Sequence, residues 1–317
     1  MAVTRTTLST LFDCVGNTPL LDLGPFFPGA PGVGLFAKAE FLNPTGSVKD
    51  RAAVAMLRAG IKAGKLTPDK TILDATSGNT GISYATFGAA LGYRVELCIP
   101  ANASRERRAI LQALGAVLNE SDPLLSSDGA ELAAEELAAR HPERYFFPDQ
   151  YNNPENWLAH YHHTAREIWE ATGGEVSHFV SGIGSGGTFV GVSRRLKELN
   201  PGVTCVLMQP DSPFHALEGN RHLETTRKPG FYDPGLPDRV VTVTTEDAKA
   251  CQLRLARTAG LFVGTSSGAN VHVASEIARS LPPGSLVVTI LCDSGFRYLD
   301  DSVWRGESLA SPGAGNA

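Results

Sequence analysis

The stretch Asn43-Pro44-Thr45-Gly46-Ser47-Val48-Lys49-Asp50-Arg51 sets one amine, that of Lys49, where a helix should begin. Pro44 and Gly46 interrupt regular structure before it. Ser47 can cap the helix, and Asp50 three residues later completes an S-x-x-D pattern resembling a capping box. Val48, Ala52, Val54, Met56 and Leu57 then recur at helical spacing. A lysine held this way, desolvated and near other cations, loses its proton near neutral pH and forms Schiff bases with carbonyls. A solvated lysine on an amphipathic helix is the bland alternative, and the loops elsewhere in the chain speak against it.

Three loops rich in glycine and hydroxyls could serve such an amine. Gly182-Ile183-Gly184-Ser185-Gly186-Gly187-Thr188 lies between a strand pattern and a helix start. Its glycines let the backbone approach an anion, and the free N–H groups and positive end of the helix dipole favour phosphate. Gly182-x-Gly184-x-x-Gly187 also spells the dinucleotide fingerprint. An NAD-dependent dehydrogenase could claim it, but would leave Lys49 unexplained, with only Asp211 for the ribose. Thr76-Ser77-Gly78-Asn79-Thr80 offers hydroxyls and an amide at a second helix N-terminus, suited to a substrate carboxylate. Ser266-Ser267-Gly268 forms a third loop; the last two, taken singly, could be plain helix caps.

The elements that must position these loops alternate along the chain. Strand patterns at Gly34–Glu40, Thr71–Ala75, Arg94–Ile99, Ala116–Asn119, His178–Ser181, Thr204–Gln209, Val240–Val243 and Leu286–Leu291 are mostly separated by helical stretches. Such alternation implies parallel sheets with helices on both faces. Tyr145–Gln150 reads as a crossing strand, and Asn152-Asn153-Pro154 opens one long helix to about Thr172. Asp211–Asp238 has no periodicity and is rich in Pro, Gly and charge, which marks a segment that carries function. The tail Ser308–Ala317 reads as frayed.

Composition sets the outer bounds. The 317 residues are 42% hydrophobic and 19% charged, a globular mix long enough for two lobes. A net charge of −5 without a long basic run argues against nucleic acid or an acidic membrane as partner. The N-terminus lacks a signal pattern and no apolar run reaches spanning length, so a cytoplasmic protein is expected. Five well-separated cysteines without C-x-x-C predict neither a disulfide framework nor a zinc site, and Cys98, Cys205 and Cys292 read as small buried hydrophobes. His160, His162 and His163 have no carboxylate or cysteine at ligand spacing, so no metal is expected there.

Together, three strand-to-helix loops and one pre-organised lysine suggest a phosphate-bearing cofactor with an aldehyde, which describes pyridoxal phosphate. The motifs N-P-T-G-S-V-K-D-R, T-S-G-N-T-G and G-S-G-G-T, in this order and spacing, resemble the cysteine synthase and cystathionine β-synthase family. G-N-T-P-L at Gly16–Leu20, E-R-R-x-x-L-x-x-x-G-A at Glu106–Ala116, Asp149-Gln150-Tyr151 and S-S-G-A at Ser266–Ala269 extend the likeness over about residues 10–305.

The resemblance implies an α/β fold of two lobes, each a mostly parallel twisted sheet flanked by helices. This is the type II fold of pyridoxal phosphate enzymes, similar to the tryptophan synthase β chain. Residues 1–42 and 154–317 would form the large, phosphate-binding domain, and 43–153 a small domain with the carboxylate loop. Lys49 would join the aldehyde of pyridoxal 5′-phosphate as an internal aldimine, and Asn79 would bond its 3′-oxygen. Gly184, Ser185, Gly186, Gly187 and Thr188 would cradle the phosphate, and Ser266 would face the pyridine nitrogen. Thr76, Ser77, Thr80 and Gln150 would hold the substrate's α-carboxylate.

A neutral serine at the ring nitrogen weakens the electron sink and suits β-elimination. Lys49, freed by the substrate amine, would take the α-proton. Sulfide would then add to the aminoacrylate, giving L-cysteine from O-acetylserine or O-phosphoserine. Arg221 would pair bidentately with a leaving phosphate. Other readings are β-replacement by another nucleophile, of the cystathionine or 2,3-diaminopropionate-precursor type, and a pyridoxal phosphate-binding sensor without turnover. A homodimer is implied by the family alone. The chain departs from the family pattern with Ser185 for threonine, His163-Thr164-Ala165-Arg166-Glu167 for T-G-P-E, and Phe296 for glutamate.

Overall fold

In the computed structural model, residues 8–305 are described apart from 77, 123 and 125; Ser77 and the tail Ser308–Ala317 lie outside the described residues. Short apolar runs form two sheets. The first has the order β1 (Leu20–Asp22), β2 (Gly34–Ala39), β10 (Leu286–Leu291), β7 (His178–Gly182), β8 (Thr204–Pro210), β9 (Arg239–Val243). Only its β1–β2 pair is antiparallel. The second has the order β5 (Val117–Ser121), β4 (Arg94–Pro100), β3 (Thr71–Ala75), β6 (Tyr145–Phe146), all parallel.

Strands buried on both faces must be apolar at successive positions, which is why they read as unbroken runs. Val180, Val206 and Val287 pack to one side with Ala269 and Ala274 of α9 (Thr265–Ala278). Their chain neighbours Phe179, Leu207 and Val288 pack to the other with Phe189 and Val192 of α7 (Gly187–Leu199). In the second sheet, Ile72 and Leu97 pack with Met56 of α1 (Lys49–Lys62) and Phe87 of α2 (Asn79–Leu91). Leu73 and Cys98 face Ala130 and Ala134 of α4 (Ser126–Arg140). The loops that follow β3, β7 and β10 leave from the C-terminal ends of parallel strands, where open α/β sheets bind ligands.

Three local expectations need correction. Helix α1 begins at Lys49 after Val48, one residue later than a Ser47 cap implies, although Ser47 Oγ still accepts from the Lys49 N–H at 3.3 Å. Asp50 does not return to Ser47; its carboxylate accepts from the Thr45 N–H at 2.7 Å and from the Ser83 hydroxyl at 2.5 Å, tying the lysine turn to α2. The strand at Tyr145 ends after Phe146, because Pro148 follows and Asp149 takes a left-handed backbone at φ 52°. The long helix after Asn153 runs unbroken to Ala171 but is not regular throughout: α5 (Pro154–Ala159) and α6 (Ala165–Ala171) flank a π-helical turn at His160–Thr164. A cluster of charge lies beneath α1: Arg51 bonds Glu40 of the turn after β2 and Glu167 of α6 at 2.7–2.8 Å. Burial alone would raise the Glu167 carboxyl, yet bonds and charge from Arg51 and Lys38 hold it down at about 2.

Asp74 on β3 is 1% exposed, and its Oδ2 has no partner among the described residues. Burial pushes its carboxyl up to about 7, and the charge of Asp149 adds to this. A carboxyl raised on folding binds its proton more tightly in the native state, so its stabilising effect is complete at low pH and is lost as pH rises through 7. Between pH 5 and pH 8 this group should cost the fold about 2–3 kcal/mol. Thermal melts should show Asp74→Asn gaining on the wild type as pH rises; a pH-independent difference would contradict this.

Candidate active site

The chemistry-bearing loops meet between the two sheets. After β7 the chain turns at Ile183 and enters α7 at Gly187, two residues earlier than periodicity predicts, so Gly187 and Thr188 lie in the helix's first turn. Gly186 caps that helix with φ 87°, a backbone that side chains resist. Gly184 is required for a second reason: a Cβ there would sit 1.9 Å from the carbonyl oxygen of Gly219. The loop is thus drawn against its neighbours, with helix N–H groups behind it.

Lys49 reaches this loop across the cleft. Its Nζ donates to Ser185 Oγ at 3.1 Å, joining residues 136 apart in sequence. Burial lowers the pKa of its ammonium, Cys292 and Asp293 oppose that, and the charge of Arg221 adds to the lowering. A cavity of about 50 Å³ beside the amine is lined by Gly184, Ser185, Gly186, Gly187, Thr188, Asn79, Ser266 and Cys292. The buried Nδ2 of Asn220, from the same lining, has no partner. An anion against helix N–H groups, two hydroxyls and an orphaned amide donor is the complement of this cradle, so the residues fit a phosphorylated aldehyde held by Lys49.

A second chamber of about 180 Å³ opens from Lys49 towards Thr76, Gly78, Asn79, Thr80 and Gln150. The Thr80 hydroxyl donates to Gln150 Oε1 at 2.9 Å, and Gln150 Nε2 donates to the Ala75 carbonyl at 2.9 Å. The carboxylate loop and Gln150 are thereby locked together, and Ser77 falls outside the described residues. Asn79 lines both cavities, while its amide donates to Asp293 at 2.7 Å and accepts from Arg297. Ser266 is buried in the first turn of α9, within reach of the Cys292 thiol.

Arg221 also lines this chamber, but its guanidinium is already matched. It bonds Glu131 of α4 and the Arg227 carbonyl, at 2.6 Å for the latter, and lies over the Tyr151 ring at 4.2 Å. Arg107 of α3 (Arg105–Ala113) pairs with Glu218 on the opposite rim. Both ion pairs join the long segment Asp211–Asp238 to helices beside the second sheet. A roomier hollow of about 350 Å³ lies between α1 and α5 and includes His162 and His163; none of the three loops reaches it.

Sequence reading brought Lys49, Asn79, the 184–188 loop, Ser266, Thr76, Thr80, Gln150 and Arg221 into one place. It missed Cys292, which leaves β10 into the cavity beside Lys49 and whose thiol burial pushes up to about 12. Its position just past a parallel strand was the available signal. It also missed Asn220, Glu218, Arg107 and Tyr298, whose neighbours lie far away in sequence. Phe296, a departure from the family pattern, is 73% exposed and packs edge-on to Phe262.

Comparison with known proteins bears on this site directly. Residues 11–293 match the family model described as "Pyridoxal-phosphate dependent enzyme". Over 305 residues the chain is 45% identical to a cysteine synthase from Aquifex aeolicus, covering 95% of this chain and 93% of that protein. It is 42% identical to cysteine synthase B from Escherichia coli, covering 97% of this chain and all of its relative. Among solved structures, a cysteine synthase from Entamoeba histolytica superposes with a TM-score of 0.88 at 30% identity, covering 98% of this chain and 95% of the other.

Proposed function

Because this chain belongs to the family of pyridoxal-phosphate-dependent enzymes, we propose that its cleft converts an O-activated serine and sulfide into L-cysteine by β-replacement. The observation that carries this reading is the 3.1 Å contact between Lys49 Nζ and the hydroxyl of Ser185 in the glycine loop. When bound, pyridoxal 5′-phosphate supplies an aldehyde for an amine and a conjugated ring that withdraws electrons from the substrate's α-carbon. Lys49 is the amine that holds it. Its desolvated Nζ keeps a proton weakly, which suits it to accept the substrate's α-proton once displaced.

The 184–188 loop would hold the phosphate, with Asn79 placed to meet the ring oxygen and Ser266 the ring nitrogen. A serine hydroxyl there adds no charge that would hold the nitrogen protonated, which favours departure of a β-substituent over long-lived carbanion chemistry. Thr76, Ser77, Thr80 and Gln150 receive the α-carboxylate at the N-terminus of α2, whose dipole favours an anion. Residues 1–42 and 154–317 make up the cofactor-binding domain in this proposal, and 43–153 the domain that carries the carboxylate loop. The enzyme acts as a cytoplasmic homodimer on small molecules; among the described residues no helix is long and apolar enough to cross a membrane. The family match supports a phosphate-loop role for Gly182–Gly187 over the dinucleotide reading.

Purified protein given O-acetylserine and sulfide should form L-cysteine; homocysteine as the sole productive nucleophile would overturn the assignment. Arg221 remains the residue proposed to meet a leaving phosphate. Since Glu131 already neutralises it, a phosphate must displace that carboxylate. Arg221→Ala should lower turnover with O-phosphoserine about tenfold more than with O-acetylserine. An equal loss on both would remove this role.

A further inference from the structure

Behind the glycine loop lies a second layer of polar side chains that the site so far leaves unused. Asn156 of α5 is 1% exposed and His160, at the start of the π-helical turn, 2%. Four residues apart, they share a helix face. That face packs on α7 where the latter has glycines at the same spacing. A Cβ on Gly187 would lie 1.9 Å from Asn156 Oδ1, and one on Gly191 2.8 Å from His160 Cβ. The two helices are therefore close enough for short polar side chains to touch the loop itself.

Each of the two reaches one hydroxyl of that loop. Asn156 Nδ2 donates to Ser185 Oγ at 3.1 Å, and to the Gln150 carbonyl at 2.6 Å. His160 Nε2 lies 3.4 Å from Thr188 Oγ1, while its Nδ1 lies 3.0 Å from Thr164 Oγ1. A hydroxyl has one proton to give and two lone pairs to receive. Ser185 Oγ accepts from Asn156 Nδ2 and from Lys49 Nζ, which fills both lone pairs and leaves its proton to point elsewhere. In the tautomer whose Nδ1 accepts from Thr164, a neutral His160 carries its proton on Nε2 and donates to Thr188, leaving the Thr188 proton directed outward. Burial pushes His160 down to about 3, so it is neutral across the working range.

We propose that Asn156 and His160 are positioning residues that fix the direction of the Ser185 and Thr188 hydroxyl protons, so that the loop presents only donors to a phosphate dianion. The proposal rests on the reading of 184–188 as the cofactor's phosphate site. Asn156 acts on a hydroxyl that Lys49 would leave once its amine is occupied, so its hold on Ser185 persists in the loaded enzyme.

Double-mutant cycles on the holoenzyme separate this role from simple packing. The readouts are retention of pyridoxal 5′-phosphate on dilution and the ³¹P chemical shift of the bound cofactor. His160→Phe should speed cofactor loss about tenfold, as expected for one bond to a charged group, and move the ³¹P signal. In a Thr188→Val background the same change should have less than about a twofold effect. His160→Gln, which keeps a donor, should retain the cofactor nearly as the wild type does. Asn156→Ala measured with and without Ser185→Ala gives the parallel test if phenylalanine at 160 prevents folding. Equal losses in both backgrounds, or no loss at all, would overturn the proposal. A wild-type protein that retains no cofactor would instead overturn the underlying phosphate assignment.

Discussion

Lys49→Ala should leave a folded protein that has lost its visible cofactor absorbance and at least about 10³-fold in kcat/KM for L-cysteine formation. The proposed reading puts two roles on this one side chain: it would hold the cofactor aldehyde and move the substrate's α-proton. Among the described residues neither has a substitute in the cleft: the other cations lining the chamber are guanidinium groups, Arg221 paired with Glu131 and Arg107 with Glu218. The fold should survive, because the α1 turn is tied down by Asp50 and Arg51 rather than by the lysine. Circular dichroism and a thermal melt would verify that, and turnover within tenfold of wild type would refute both roles. Lys49→Arg should be almost as damaging, since a guanidinium neither condenses with an aldehyde nor gives up a proton near neutral pH.

Gly184→Ala should be the most damaging change within the glycine loop. The added methyl would need to occupy space 1.9 Å from the Gly219 carbonyl, a backbone atom that moves only with its whole segment. Either the phosphate loop swings out or the Leu217–Arg221 turn does, and the latter carries Asn220 and Arg221 into the same cavity. Cofactor retention should fall about 100-fold or more, with a drop of several degrees in Tm. Gly187→Ala makes a contact just as short, but with the side-chain oxygen of Asn156, which can rotate at the expense of its bonds. It should be the milder of the two. The reverse order would show that the loop is held from the Asn156 side.

Why so much of this was legible in the chain follows from the kind of fold it is. Parallel strands buried on both faces are written as short apolar runs, so Thr71–Ala75 and Leu286–Leu291 could be located to the residue. Glycine and hydroxyl residues cluster at helix starts, which made 76–80, 182–188 and 266–268 visible without any tertiary information, although 266–268 proved to be the first turn of α9 following a helix rather than a strand. What stayed hidden depends on contacts across the chain. Asn79 bonds a residue 214 positions away, and Asn156 meets Ser185 only because two glycines let two helices close together. The π turn at His160 leaves the apolar pattern of Asn153–Thr172 nearly undisturbed, so periodicity reads through it. Arg221 lines the chamber, but its partner Glu131 lies 90 residues earlier and gives no local signal.

The covalent link between the chain and its cofactor can be fixed and mapped. Borohydride reduction of the purified enzyme, followed by proteolysis and mass spectrometry, should place a single pyridoxyl label on the peptide containing Lys49 and abolish activity in proportion to labelling. A label on Lys38, Lys70 or any other lysine, or no label on protein that retains pyridoxal phosphate, would contradict the account.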